Sequence, residues 1–141
     1  METQDKELLV KALCGYLPYG VKAQYFNPED CREDIDTIVG ADFDAKEPRF
    51  DIFEYGFEVT KFKPYLRPMS SMTEKEQKIF NDEYCVINED CWMEKGLVGY
   101  INQARIIAEG VDWLNAHHFD YRGLIDKGLA IKVTEENNPY K

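Results

Sequence analysis

The chain contains few residues of the kinds that support catalysis, metal binding or membrane insertion. Its 141 residues include two histidines and four cysteines, and 17 basic residues face 27 acidic ones, for a formal net charge of −10. Direct nucleic-acid binding needs clustered lysine and arginine to displace counterions from phosphates, and this composition does not offer them. No apolar run approaches the roughly 18 residues that span a bilayer. We therefore expect neither direct nucleic-acid binding nor membrane insertion.

The cysteines occur at irregular spacing, as Cys14, Cys31, Cys85 and Cys91. The nearest pair has five intervening residues, whereas structural zinc sites usually contain a pair two to four residues apart. No apolar segment of the secretory type precedes them. We expect buried free thiols in a reducing, cytoplasmic compartment, and neither a metal nor a cofactor.

Core-forming residues are abundant despite the charge. Apolar residues make up 44% of the chain and aromatic residues 13%, which is enough to build a core without disulfides or metals. We expect one α+β domain over residues 1–141. Sheet-rich sequence occupies 1–66, helix-rich sequence occupies 67–133, and the polar tail 134–141 is expected to fray.

The N-terminal half predicts a helix followed by a small antiparallel sheet. Apolar residues recur at helical spacing over 5–15. Alternating residues predict strands over 21–26 and 35–43, with one or two more between 50 and 62. These strands should form a curled, SH3-like sheet or a small open barrel, with the helix covering one face.

The C-terminal half predicts helices. The segment 63–69 contains two prolines, which cannot continue a strand ladder, so we expect an irregular crossing there. Thr73 and Glu76 have the spacing of a capping box, which predicts a helix ending near Tyr84. A second helix is predicted over about 98–117.

Three sequence blocks resemble those of a known group of proteins. They are Leu17-Pro-Tyr-Gly-Val-Lys22, Lys63-Pro-Tyr-Leu-Arg-Pro-Met-Ser-Ser-Met-Thr73 and His117-His-Phe-Asp-Tyr-Arg-Gly-Leu-Ile125. The chain resembles small uncharacterised proteins associated with prophages and mobile elements of gut anaerobes. The resemblance implies a cytoplasmic accessory protein of phage or mobile-element origin, and it supplies no catalytic residue.

The segment 117–122 contains the densest set of reactive side chains. Neighbouring residues on a helix point about 100° apart, so His117 and His118 do not readily bind one ion. The structural interpretation is that one histidine caps the helix while Asp120 pairs with Arg122. The alternatives are a partner-binding site that uses His118, Asp120, Tyr121 and Arg122, and a small hydrolase or metal-dependent enzyme built around this turn.

A second candidate is the acidic segment 29–54, which has ten acidic and three basic residues and a local net charge of −7. Two pairs of carboxylates are spaced so that each pair lies on one face of a strand: Asp34 with Asp36, and Asp42 with Asp44. On neighbouring strands the pairs could bind a divalent cation, but the calcium-loop pattern is absent and a solvated face is favoured. The carboxylates could also imitate nucleic-acid phosphates or meet a basic protein surface.

Three further residues are candidate contacts. Tyr65 and Arg67 lie in the proline-containing segment, where a fixed loop either holds the fold together or forms a binding hot spot. Trp92 is expected to be exposed and could mark an interface.

The missing catalytic signatures favour a binding function. We expect a non-catalytic accessory module that binds a protein partner with a basic surface through its acidic face. The alternatives are the enzyme described above and a structural component that self-assembles.

Overall fold

The computed structural model describes residues 1–44, 46–84 and 97–141, and only the backbone of Tyr100. It confirms the α+β class. The helices are α1 (Thr3–Tyr16), α2 (Glu74–Tyr84) and α3 (Leu97–Ala116). The strands are β1 (Lys22–Asn27), β2 (Arg32–Asp42), β3 (Arg49–Ile52), β4 (Tyr55–Glu58), β5 (Phe62–Pro68), β6 (Phe119–Asp120) and β7 (Ile131–Lys132). Within these ranges, none of the helices is long and apolar enough to cross a bilayer.

The described strands form one open, mixed sheet. The order is β4-β3-β2-β1-β5-β6, antiparallel as far as β5, and β7 also joins β5. Both β6 and β7 run parallel to β5. The antiparallel sheet predicted from the N-terminal half is therefore confirmed, and the C-terminal half adds two short parallel strands to it.

The five antiparallel strands curl strongly. Three strand spacings separate β1 from β4, about 14 Å in a flat sheet, yet the rings of Tyr25 and Phe57 on these strands lie 5.5 Å apart. Phe50 of β3 and Phe62 of β5 approach to 6.0 Å in the same way. The curled sheet expected from the sequence is the form observed.

Helix α1 covers the concave face of the sheet. Its apolar side chains recur at helical spacing, and Leu9, Leu13 and Tyr16 are completely buried with Phe50 and Ile52. The Tyr16 hydroxyl donates to the carbonyl of Phe119 at 2.5 Å. The core therefore joins the N-terminal helix to both halves of the chain.

The irregular crossing expected over 63–69 is wrong, because these residues belong to β5. Pro64 lies opposite Ala23. At the next position the amide of Lys22 and the carbonyl of Tyr65 point towards each other. Because bonded and non-bonded pairs alternate along an antiparallel ladder, the backbone groups of Ala23 and Pro64 point away from each other. The amide hydrogen that Pro64 lacks therefore breaks no bond with β1. Pro68 is the last residue of the strand, where the absent donor costs nothing to the ladder.

The polar tail does not fray at Tyr140, contrary to expectation. Its hydroxyl accepts from the amide of Lys22 at 3.0 Å and donates to the carbonyl of Tyr65 at 2.7 Å. Its ring stacks on His118 at a centroid distance of 4.0 Å. The hydroxyl thus bridges β1 and β5 at the position where their ladder opens.

Helices α2 and α3 pack closely on each other. A side chain at Gly110 would approach Cβ of Tyr84 to 3.2 Å, so the glycine permits the contact. Trp113 then packs against Phe80, with ring centroids 5.4 Å apart. The predicted capping box starts α2, since Thr73 and Glu76 exchange both side-chain to backbone hydrogen bonds.

The cysteine environments differ from expectation. Cys14 and Cys31 are exposed, so the prediction of buried thiols is wrong for both. Cys85, Cys91 and Trp92 lie outside the described residues.

Candidate functional site

The two histidines of the 117–122 turn have structural partners. His117 Nδ1 lies 2.9 Å from the carbonyl of Trp113 at the end of α3, as a helix cap does. His118 has a φ of 59°, and its Nε2 lies 2.8 Å from the carbonyl of Tyr19. Because a carbonyl only accepts, this nitrogen carries the proton. Burial lowers the pKa of His118, which favours the neutral ring.

Asp120 caps a turn and does not pair with Arg122, so that prediction is wrong. Its two oxygens accept from the amides of Leu124 and Ile125, each at 2.9 Å. Arg122 instead lies over the ring of Tyr121, 5.4 Å from its centroid. The amides of Leu124 and Ile125 occupy both carboxylate oxygens because they belong to the same tight turn as Asp120.

A depression of about 360 Å³ adjoins this turn. Asp120 and Asp126 both contribute to its lining, together with Met69 and Lys132. Neither histidine lines it, and both oxygens of Asp120 already accept backbone bonds. The turn is therefore built as a structural joint, and it presents no histidine and carboxylate to a common substrate.

Arg67 joins the sheet to α2. Its guanidinium donates to both oxygens of Glu76, at 2.9 and 2.7 Å, and lies 4.1 Å from the centroid of Phe119. These bonds, followed by those from Thr73, lower the pKa of Glu76 to about 2. Tyr65 is buried, with 5% of its surface exposed. Both candidates from this segment hold the fold together.

The four aspartates of the acidic segment separate into two places. Asp34, Asp36 and Asp42 all belong to β2, and Asp44 follows it. Asp36 and Asp42 are six residues apart, about 20 Å along a strand, so the pairs cannot share one cation. Among the described residues no three His, Cys, Asp or Glu side chains are grouped to hold a metal ion.

Asp34 and Asp36 instead belong to a cluster at one end of the curled sheet. In register, Asp34 lies opposite Tyr25. A row of aromatic rings runs from Tyr25 through Phe57 and Tyr55 to Phe53, with successive centroids 5.5, 6.0 and 6.3 Å apart. We call the row and its surrounding carboxylates the acidic aromatic patch, which comprises Tyr25, Phe53, Tyr55, Phe57, Glu29, Asp30, Asp34, Asp36 and Glu54.

The carboxylates act electrostatically on the tyrosines of the row. Burial and then the charges of Asp34, Asp36 and Asp30 raise the pKa of Tyr25. Burial, Glu29 and Glu54 raise the pKa of Tyr55 to about 12. The hydroxyl of Tyr55 is enclosed and meets no partner in hydrogen-bond geometry among the described residues, although Glu29 lies beside it.

The turn before β2 is fixed by Asn27. Its amide nitrogen donates to Asp34 at 3.0 Å and to Asp30 at 3.4 Å. Its carbonyl oxygen accepts from the amide of Glu29 at 3.0 Å, which is the bond of an Asx turn. Arg32 also pairs with Asp34, at 3.0 Å. The carboxylates on this side of the patch are therefore held in place.

Phe53 forms the outer end of the aromatic row under backbone strain. It is the first residue of the two-residue turn between β3 and β4, its φ is 57°, and 52% of its surface is exposed. Glycine is the usual residue at a turn position with positive φ. A large apolar residue that is both exposed and strained is a candidate for a role outside the core.

Comparisons of the chain with models of protein families, with curated proteins and with solved structures find no match.

Sequence reasoning found the carboxylates of the patch and missed its rings. Phe53, Tyr55 and Phe57 alternate along the chain, a pattern that predicts one face of a strand. That alternation could have identified three of the rings. Their approach to Tyr25 depends on the curl of the sheet, which the alternation does not specify.

Proposed function

We propose that the protein is a non-catalytic accessory module that binds a protein partner with a basic surface, and that the acidic aromatic patch is the contact. The observation that carries this proposal is the row of rings that ends on exposed, strained Phe53 and is surrounded by five carboxylates.

The chemistry of the patch suits lysine and arginine side chains. A ring face attracts a cation by about 0.5–2 kcal/mol, depending on how far the site is dehydrated. Phe53 offers an exposed ring, Tyr55 and Phe57 are half-buried against the core, and Tyr25 is buried behind them. Carboxylates beside the rings add charge-assisted hydrogen bonds. A net charge of −10 also increases the rate of encounter with a basic partner. Such binding weakens with salt, since screening acts over about 8 Å at physiological ionic strength.

The cellular setting proposed from the resemblance is that of a phage or mobile-element accessory protein in the cytoplasm. An accessory protein of this kind needs no catalytic centre, because it acts by occupying a surface of its partner. The enzyme alternative would need a histidine and a carboxylate that face one substrate, and the 117–122 turn directs both histidines to backbone carbonyls.

The proposal is tested with a fluorescein-labelled peptide of about eight residues that alternates lysine and valine, by fluorescence anisotropy. The patch variant is Glu29→Gln/Glu54→Gln, and the control Asp42→Asn/Asp44→Asn removes the same charge at the far end of β2. We expect a loss of affinity of at least about tenfold for the patch variant. Raising the salt from about 0.05 to 0.15 M should weaken wild-type binding.

Two results would contradict the proposal. One is equal weakening by the patch and control variants, which would assign binding to net charge alone. The other is binding that does not change with salt. Wild-type protein, the patch variant and the control variant then serve as baits for capture from a host lysate. A partner is a protein that the wild type and the control retain and the patch variant loses.

A further inference from the structure

Strand β4 is an edge of the sheet with unpaired backbone groups. It is the terminal strand of the order, and among the described residues it pairs with β3 alone. Ile52 and Tyr55 flank the two-residue turn and so exchange hydrogen bonds across the hairpin. Because bonding alternates along an antiparallel pair, Gly56 and Glu58 direct their amides and carbonyls away from β3.

The free edge is accessible. Gly56 is exposed and has no side chain to obstruct an approaching backbone. No backbone hydrogen bond from another described segment reaches residues 55–58. An exposed edge with unpaired donors and acceptors is a template for an added strand.

The edge and the acidic aromatic patch belong to the same element. Tyr55 and Phe57 are residues of β4 and also the middle of the aromatic row. Side chains of a strand added beside β4 would alternate between the two faces of the sheet, so every second one would lie beside these rings.

We propose that the ligand of the patch is an extended basic segment of a partner protein, which adds to β4 as a further strand with lysine or arginine at alternate positions. This inference rests on the proposed function and specifies its ligand. The added strand bonds to Gly56 and Glu58, and its cations lie beside the outer rings of the row, those of Phe53, Tyr55 and Phe57, and near the carboxylates around them.

Charge selects this occupant over a second copy of the chain. The segment 29–54 has a local net charge of −7. In two β4 strands paired antiparallel with Gly56 opposite Gly56, Glu54 of each copy lies opposite Glu58 of the other, and like charges on paired strands are destabilising. A basic segment at the same edge meets no such repulsion, because its cations are attracted to the carboxylates.

The experiment adds two modified probes to the lysine–valine peptide described above, one N-methylated at every lysine and the other at every valine. Each modification blocks the amides along one edge of the extended peptide and keeps its charge. We expect at least one modified probe to bind wild-type protein at least about tenfold more weakly than the unmodified peptide.

A variant of the protein tests the same bonds from the other side. Gly56→Pro removes an outward amide from an edge strand, a position where proline is tolerated, and replaces none of the rings or carboxylates of the patch. We expect Gly56→Pro to weaken binding by about tenfold, and Gly56→Ala, which keeps the amide, to weaken it less.

The outcomes distinguish the two proposals. Equal affinity for all three probes, with binding still lost in Glu29→Gln/Glu54→Gln, would overturn strand addition and leave the proposed function in place. If the unmodified probe binds Glu29→Gln/Glu54→Gln as tightly as it binds the wild type, both strand addition and the proposed function are overturned. The peptide modifications give an answer even if Gly56→Pro fails to fold.

Discussion

The guanidinium of Arg67 forms two parallel hydrogen bonds with the carboxylate of Glu76, at 2.9 and 2.7 Å. The pair connects a strand of the sheet to the first turn of α2. It is largely shielded from water, with side-chain exposures of 23% and 17%. We therefore expect the interaction to have a measurable effect on stability.

Acid should weaken the fold through Glu76. Its pKa falls from 4.5 to about 2 on folding, chiefly through Arg67. A lowered carboxyl pKa contributes stability above pH 4.5, on the order of 3 kcal/mol, and that contribution is lost as the pH falls from about 4.5 towards 2. Urea unfolding at pH 7 and pH 3 measures the part that is lost by pH 3, about 2 kcal/mol.

Glu76→Gln should be less stable at pH 7 and should lose much of this acid dependence. Glu74→Gln, on the exposed side of the same helical turn, is the control and should keep it. An unchanged acid dependence in Glu76→Gln would assign the effect to other carboxylates.

Tyr140→Phe should destabilise the protein by about 1–3 kcal/mol. The substitution removes one hydroxyl and leaves the amide of Lys22 and the carbonyl of Tyr65 without their partner. Hydrogen exchange should accelerate at Lys22 in particular. Tyr19→Phe, at a partly exposed tyrosine, is the control. Equal exchange at Lys22 in both variants would show that the bridge contributes little.

Phe53→Asn should raise stability and lower affinity for the lysine–valine peptide. Asparagine tolerates positive φ, and relief of the strain is worth about 1 kcal/mol. Binding should weaken because the row loses its exposed ring. Phe43→Asn removes another exposed ring, from beyond the end of β2, and should leave binding unchanged. A Phe53→Asn protein that is less stable would show that the ring serves the fold.

His118 should stay neutral to a lower pH than a free histidine. Burial is the main reason that its pKa lies below 6.5. A base with a lowered pKa takes up its proton first in the unfolded chain, so stability should fall as the pH drops below 6.5. NMR titration of the ring measures the pKa directly. His118→Asn suits the φ of 59° and should lose this part of the pH dependence.

Local rules predicted the parts of the fold that depend on neighbouring residues. The capping box of Thr73 and Glu76 was found because its bonds span three residues. The proline rule failed at Pro64 because the rule depends on which way the absent amide would point, and the register with Ala23 decides that. The expected Asp120–Arg122 pair failed because nearby backbone amides compete for the carboxylate.

Long-range partners account for the rest. The tail is expected to fray because it is polar and terminal. That expectation is wrong because the partners of Tyr140 lie 118 and 75 residues away along the chain, where local sequence does not reveal them. The sequence predicts the charge of the candidate site at Asp34 and Asp36. It does not predict the row of aromatic rings, since Tyr25 and Phe57 come into contact only when the sheet curls.

Strand β5 pairs with β1 through its first residues and with β7 and β6 through its last. Each of these pairings closes a long loop, and the entropy of closure must be overcome before the bonds contribute. Such a topology has a high contact order, which slows the search for the native state. It also makes β5 a shared element, so heat should melt both halves of the chain in one cooperative transition.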